Sequence, residues 1–172
     1  MKLGVLTVPL YSMSLEDTLE YLSGLGVQTV ELGAGGYPGN THTLPYLTGE
    51  KTVEELKALL KKYDMEISAI SVHGNAIHPN KEIAAKFQSD FETAVLFAEK
   101  LGVDTVITFS GCPGGAPGDT TPNWVACPWP EDFLKILDYQ WNEVLIPYWK
   151  KTVEFARSHG VTKIAFEMHP GF

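Results

Sequence analysis

Short apolar runs alternate with longer stretches of helical periodicity along the whole chain: strand then helix four times, followed by a last strand. Residues 3–8 form the first run, stopped by Pro9. Leu15, Leu19, Leu22 and Leu25 then hold one helical face behind Ser14-Leu15-Glu16-Asp17, a capping-box-like start, and Gly24 and Gly26 end it. Residues 28–33 predict a second strand, and a Gly/Pro-rich loop over residues 34–47 carries Tyr37 and His42. Thr52-Val53-Glu54-Glu55 caps a second helix, with Val53, Leu56, Leu60 and Tyr63 on one face. Residues 65–72 predict the third strand, ending in His73-Gly74-Asn75.

The clearest amphipathic stripe follows. It opens at Asn80, runs through Ile83, Phe87, Phe91, Ala94, Ala98 and Leu101, and closes at Gly102. Residues 104–109 predict a fourth strand. The loop after it, residues 110–130, holds five prolines and four glycines and is too long for a mere connection, which marks it as functional or mobile. A fourth helical region spans about residues 131–159. Pro147 should kink or split it near Glu143, because proline removes a backbone donor. Residues 161–168 complete the pattern as a fifth strand.

Strands alternating with long helices imply right-handed crossovers and a parallel sheet in one domain, residues 1–172. An open doubly wound sheet and a (β/α)8 TIM-type barrel both fit that order; the open sheet needs nothing missing, whereas the barrel has only its first five β/α units here. Side-chain parity tilts the choice toward the barrel. Val30 and Leu32 oppose Thr29, Glu31 and Gly33. Ile70 and Val72 oppose Ala69, Ser71 and His73. Ile164, Phe166 and Met168 oppose Lys163, Ala165 and Glu167. Each strand thus has one bulky apolar face and one small or polar face, whereas a doubly wound sheet buries both faces under helices.

Composition narrows the function. Apolar residues are 44% and charged residues 20%, ordinary for a globular chain, and the net charge of −8 argues against a nucleic-acid surface. No stretch approaches the ~18 apolar residues of a membrane span. Residues 1–9 lack the apolar core and cleavage site of a signal peptide. Cys112 and Cys127 have no metal-type spacing, so reduced thiols in a cytoplasmic protein is the expectation.

In either architecture ligands bind at the carboxyl ends of the strands. Glu31, His73, Asn75, Thr108, Ser110 and Glu167 collect there, with His169 just beyond. A carboxylate with imidazoles and hydroxyls, and no thiolate, suits Mg²⁺, Mn²⁺, Co²⁺ or Zn²⁺. Such an ion could hold two oxygens of a polyol or hydroxy-carbonyl substrate and stabilise an enediolate. Each residue also has a plainer reading: Glu167 as a turn cap, His73 as a core histidine, Glu31 as a structural carboxylate. His42 and His78 are expected in exposed loops. Trp141 and Trp149 have helical spacing and read as packing, while Trp124 and Trp129 could wall a sugar site. Neither glycine-rich loop, residues 33–36 or 111–119, completes a phosphate-binding fingerprint.

The chain resembles the sugar phosphate isomerase/epimerase family of xylose-isomerase-like barrels. The resemblance rests on Lys2-Leu3-Gly4-Val5-Leu6-Thr7, Val30-Glu31-Leu32-Gly33, Ser71-Val72-His73-Gly74-Asn75 with His78-Pro79, and Thr108-Phe109-Ser110-Gly111-Cys112-Pro113-Gly114. It continues through Asn123-Trp124, Cys127-Pro128-Trp129-Pro130 and Glu167-Met168-His169-Pro170-Gly171. It implies a barrel whose divalent metal is held by Glu, Asp, His and Glu from strands five to eight, of which only Glu167 maps here. The metal is then not held by this chain alone, and the carboxylates that pass the proton lie largely beyond residue 172. Glu31, His73, Asn75, Ser110, Trp124 and His169 become substrate-binding candidates for a sugar or sugar phosphate. The implied reaction is isomerisation or epimerisation. The alternatives are a dehydratase or keto-glycoside eliminase of the same superfamily, or a non-catalytic carbohydrate-binding fragment. The first and last strands would be open edges, inviting homo-oligomers.

Overall fold

The computed structural model describes residues 1–37 and 39–172; Pro38, in the Gly/Pro-rich loop, lies outside the described residues. Five strands form one sheet: β1 (Gly4–Leu6), β2 (Thr29–Gly36), β3 (Glu66–His73), β4 (Thr105–Thr108) and β5 (Lys163–Phe166). All neighbours are parallel and the spatial order is the sequence order, β1-β2-β3-β4-β5. A doubly wound sheet must reverse its order at a switch point. Strictly sequential parallel order is the order of barrel staves, so the sheet is a partial α/β barrel.

The helices follow from local chemistry. In α1 (Leu15–Gly24) the Ser14 hydroxyl accepts from the Asp17 amide. A short turn, α2 (Leu44–Leu47), lies in the loop after β2. In α3 (Val53–Lys62) Thr52 and Glu55 complete a reciprocal capping box. In α4 (Lys81–Leu101) the Asn80 side chain accepts from the Glu82 and Ile83 amides, and Gly102 ends the helix in the left-handed region. Leu19 and Leu22 of α1, Leu56 and Leu60 of α3, and Phe91, Ala94, Val95 and Ala98 of α4 are buried with Val30, Leu32, Ile70, Val72 and Val106 of the sheet in one core. Each fully buried leucine contributes about 1.5–3 kcal/mol of transfer free energy. The alternation of the strands therefore assigns the helix-facing side correctly.

The region expected to kink or split near Glu143 stays helical but changes its register there. α5 (Asp132–Asp138) continues through a π-helical stretch, Tyr139–Leu145, into α6 (Ile146–Ser158). The Ile146 amide reaches the Trp141 carbonyl, five residues back. Widening the register just before the proline accommodates its missing donor without a break.

Two further expectations are corrected. The outer strands are shorter than the apolar runs: β1 gives way to a 3₁₀ turn over Val8–Leu10, and β5 ends at Phe166. Met168 is therefore 99% exposed rather than packed with Ile164. His42 is buried, not in an exposed loop, with Nε2 3.1 Å from the Met13 carbonyl oxygen. Among the described residues no helix is long and apolar enough to cross a membrane.

Candidate active site at the carboxyl ends of the strands

The sheet's face opposite α1, α3 and α4 carries Glu31 on β2, Ala69, Ser71 and His73 on β3, and Ala165 on β5, the alternation expected from period two. His73 ends β3, 4% exposed. Glu167 follows β5 directly, its amide still donating to the Thr108 carbonyl at 2.9 Å, so the ladder aims its side chain across the strand ends. Nε2 of His73 stands 2.7 Å from Oε2 of Glu167, whose side chain is 55% exposed. That is ion-pair distance, but Nε2 of His73 makes no hydrogen bond to the carboxylate or to any other described group. Ser71, the next inward position below on β3, likewise buries a hydroxyl with no partner.

An aromatic group packs on the His73 side of this pair. Phe109 lies 4.6 Å from the His73 ring, and Phe172 stacks parallel on Phe109 at 4.7 Å. His169 lies 5.1 Å from Phe109, and Tyr37 packs 5.4 Å from Phe172 and 4.9 Å from Phe87. This aromatic packing keeps water off the buried side of His73, which strengthens any charge interaction made there. Glu31 is half-buried, and its carbonyl accepts from the Thr7 amide at 3.0 Å.

Other predicted residues have different partners. Asn75 is fully buried and its amide is committed to one peptide unit: Nδ2 donates to the Cys112 carbonyl at 2.7 Å and Oδ1 accepts from the Cys112 amide at 3.0 Å. It joins the loop after β3 to the loop after β4. Thr108 points to the helix side instead, donating to the Val72 carbonyl at 2.8 Å. The Ser110 carbonyl accepts from Nε1 of Trp149 at 2.8 Å. Trp124 is half-buried against Trp141, ring centroids 6.1 Å apart, while Trp129 is exposed. His78 accepts from the Asn80 amide at the start of α4.

The sequence reading passed over Gln140. It is fully buried in the π-helical stretch and stitches the long loop at three points, donating to the Gly114 and Asn123 carbonyls and accepting from the Val125 amide. Nothing local marks it, since its partners lie far back in the chain. Tyr37, Phe109 and Phe172 were also passed over as a group, because they belong to three separate loops. Ser71 was legible as an inward position but not as an unpaired one.

The same loop separates the two free cysteines. Cys112 is buried and Cys127 exposed. Burial pushes the Cys112 thiol up to about 11, against a smaller lowering by the Trp124 and Asn123 amides. A neutral, buried thiol is a poor nucleophile. Native protein treated with iodoacetamide at neutral pH should therefore be alkylated at Cys127 alone, and at both cysteines after denaturation. Rapid native labelling of Cys112, read by peptide mass mapping, would contradict this.

A divalent ion at this mouth would meet one accessible carboxylate and one buried ring nitrogen lacking a hydrogen bond. That fits the beginning of a hard-cation site, but among the described residues no three His, Cys, Asp or Glu side chains gather closely enough to share an ion.

Comparison with known proteins agrees with this fold. The family model described as the xylose isomerase-like TIM barrel matches residues 19–172. The uncharacterized protein YfiH of Bacillus subtilis (strain 168) is 36% identical over 171 residues, which cover 97% of this chain and 54% of the relative. Among solved structures, the probable 3-DHS dehydratase AsbF involved in petrobactin synthesis, from Bacillus anthracis, superposes with a TM-score of 0.65 at 19% identity, covering 99% of this chain and 53% of that one. A D-tagatose 3-epimerase-like protein gives 0.63 at 21% identity, covering 100% and 54%. The IOLI protein with a bound zinc atom gives 0.62 at 15%, covering 99% and 53%. The chain thus spans about half the length of the proteins it matches. On sequence and on fold, it belongs to the xylose isomerase-like TIM barrel family.

Proposed function

We propose that this chain carries the first part of the active site of a divalent-metal-dependent sugar or sugar-phosphate isomerase or epimerase, which moves a proton at a carbon next to a carbonyl through an enediolate. One observation carries the reading: Glu167 and the unpartnered Nε2 of His73 converge 2.7 Å apart at the barrel mouth. Leaving a buried polar group unpaired costs about 1–3 kcal/mol, a cost that a bound ligand removes. Glu167 would hold the ion, which when bound supplies positive charge to neighbouring substrate oxygens. His73 donates from Nε2 to a substrate hydroxyl, and the Phe109–Phe172 stack covers its ring. Glu31, Ser110 and His169 reach further hydroxyls, and Trp124 forms the outer wall. Asn75 acts through Cys112, holding the loop in place.

The epimerase-like and zinc-bound structural neighbours support this reading. A dehydratase among them favours a second one: a lyase that begins with the same proton abstraction and then loses water. With one carboxylate at the mouth, the chain by itself should bind Mn²⁺ weakly and turn over little substrate. The decisive assay joins residues 1–172 to the remaining portion of the B. subtilis relative and presents free and phosphorylated ketoses and aldoses in D₂O with Mn²⁺, Co²⁺, Mg²⁺ or Zn²⁺. Metal-dependent isomer formation with deuterium at the carbon next to the carbonyl is expected, reduced ~100-fold or more by Glu167→Gln. Dehydrated product would select the lyase, and no metal-dependent reaction with any sugar would sink both readings.

A further inference from the structure

The π-helical stretch decides which side chain meets the long loop after β4. The buried line of α6 runs back through Ala156, Thr152, Trp149 and Leu145, at helical intervals. An α-helical register would continue it at Trp141, one turn before Leu145. The bond from the Ile146 amide to the Trp141 carbonyl widens that turn, and Gln140 takes the inward place instead. Gln140 is accordingly fully buried, while Trp141 is exposed. Turns of this kind concentrate at functional sites.

We propose that Gln140 is a positioning residue: its carboxamide fixes Trp124 as a wall of the sugar site before substrate arrives. This rests on the reading above, isomerase or lyase, in which Trp124 forms the outer wall.

The hydrogen bonds of Gln140 fall where that role needs them. Nε2 donates to the Asn123 carbonyl, and Oε1 accepts from the Val125 amide at 3.2 Å. One carboxamide thus holds both peptide groups that flank Trp124. Nε2 also donates to the Gly114 carbonyl at 3.2 Å, which ties the grip to the buried start of the loop, where Asn75 brackets Cys112. The Trp124 ring packs on Trp141, the residue next to Gln140. Held by backbone and by ring, Trp124 and Val125 are half-buried within an otherwise exposed run, residues 116–130.

The grip is exacting. Burying a carboxamide is favourable only when its donors and acceptor find partners, and an apolar side chain of the same size cannot replace them. A wall held in place beforehand also spares the substrate the entropy of ordering it. All of these contacts lie between the end of β3 and α6, and none involves β5 or the residues after it.

Two measurements on the chain and one on the joined enzyme described above test this. In the parent chain the Val125 amide should be protected from hydrogen exchange, despite its exposed surroundings. Trp124 emission, isolated by difference from Trp124→Phe, should be that of a shielded indole. Gln140→Met keeps the volume and removes all three bonds. It should abolish the Val125 protection and move Trp124 emission to the red, with far-UV circular dichroism checking that the variant folds. In the joined enzyme the same change should raise KM about tenfold with kcat within about twofold, because a wall touches substrate and transition state alike. Trp124→Ala should raise KM similarly, and the double variant no further, since the two act through one contact.

A freely exchanging Val125 amide in the parent, unmoved Trp124 emission, a fall in kcat at constant KM, or additive KM effects would each overturn the proposal. Absence of turnover with every sugar would sink the isomerase and lyase readings, and Trp124 as a sugar wall with them. Exchange and emission would then still decide separately whether Gln140 holds Trp124.

Discussion

Gly36→Ala is expected to destabilise the fold by ~3–5 kcal/mol, a large share of an ordinary stability margin of ~5–15 kcal/mol. Gly36 closes β2 at φ +74, in the left-handed region that side chains rarely adopt, and a Cβ there would sit 1.9 Å from the His73 carbonyl oxygen and 2.7 Å from its carbonyl carbon. Both neighbours are backbone, so no rotamer change relieves the clash. The strand must retreat, and His73 with it. The register shift between Gly33 and Gly36, the Tyr37 amide bond to the His73 carbonyl at 2.7 Å, and the Gly36 amide bond to Asp90 at 3.3 Å all depend on that close approach. Urea unfolding followed by circular dichroism provides the measurement. An unchanged midpoint would mean that this strand end is not held as described.

Asn75→Leu should cost ~2–4 kcal/mol, because it strands a buried donor and a buried acceptor on Cys112 at once, each worth about 1–3 kcal/mol when left unpaired. Asn75→Asp keeps the acceptor for the Cys112 amide but turns the donor into a carboxylate facing a carbonyl, so it should be no milder. The effect has a spatial signature. Hydrogen exchange should accelerate first in residues 110–130, whose near end this bracket secures, while α1 and α3 stay protected. Uniform loss of protection would instead assign Asn75 a global role, and no change in either measurement would show the bracket to be dispensable.

The element order, the caps and the core face were all legible because each depends on residues close in sequence. Ser14, Thr52 and Asn80 cap their own helices, and alternation alone assigns Val30, Leu32, Ile70 and Val72 to the buried side. Local rules failed where a distant partner decided the outcome. His42 reads as a loop residue until Met13 supplies a carbonyl, and Thr108 reads as a site hydroxyl until the Val72 carbonyl accepts its hydrogen bond. Met168 belongs to the strand's apolar phase, yet the ladder stops at Phe166 and leaves it in solvent. At Pro147 the rule that proline interrupts a helix held, but a π-helical register absorbed the interruption.

Lys163 to Phe172 shows the division most clearly. Alternation placed Glu167 on the inward face at a strand's end, and the Glu-Met-His-Pro run marked the family. Neither could say what the carboxylate would meet. Parallel neighbours are joined only through long crossovers, so their register is set by how the intervening helices pack on the sheet, a non-local property. That packing brings Glu167 to His73, stacks Phe109 and Phe172 beside the His73 ring, and turns Asn75 from the mouth to the Cys112 backbone. Periodicity determined which side chains could share the site, and the tertiary fold decided which of them touch.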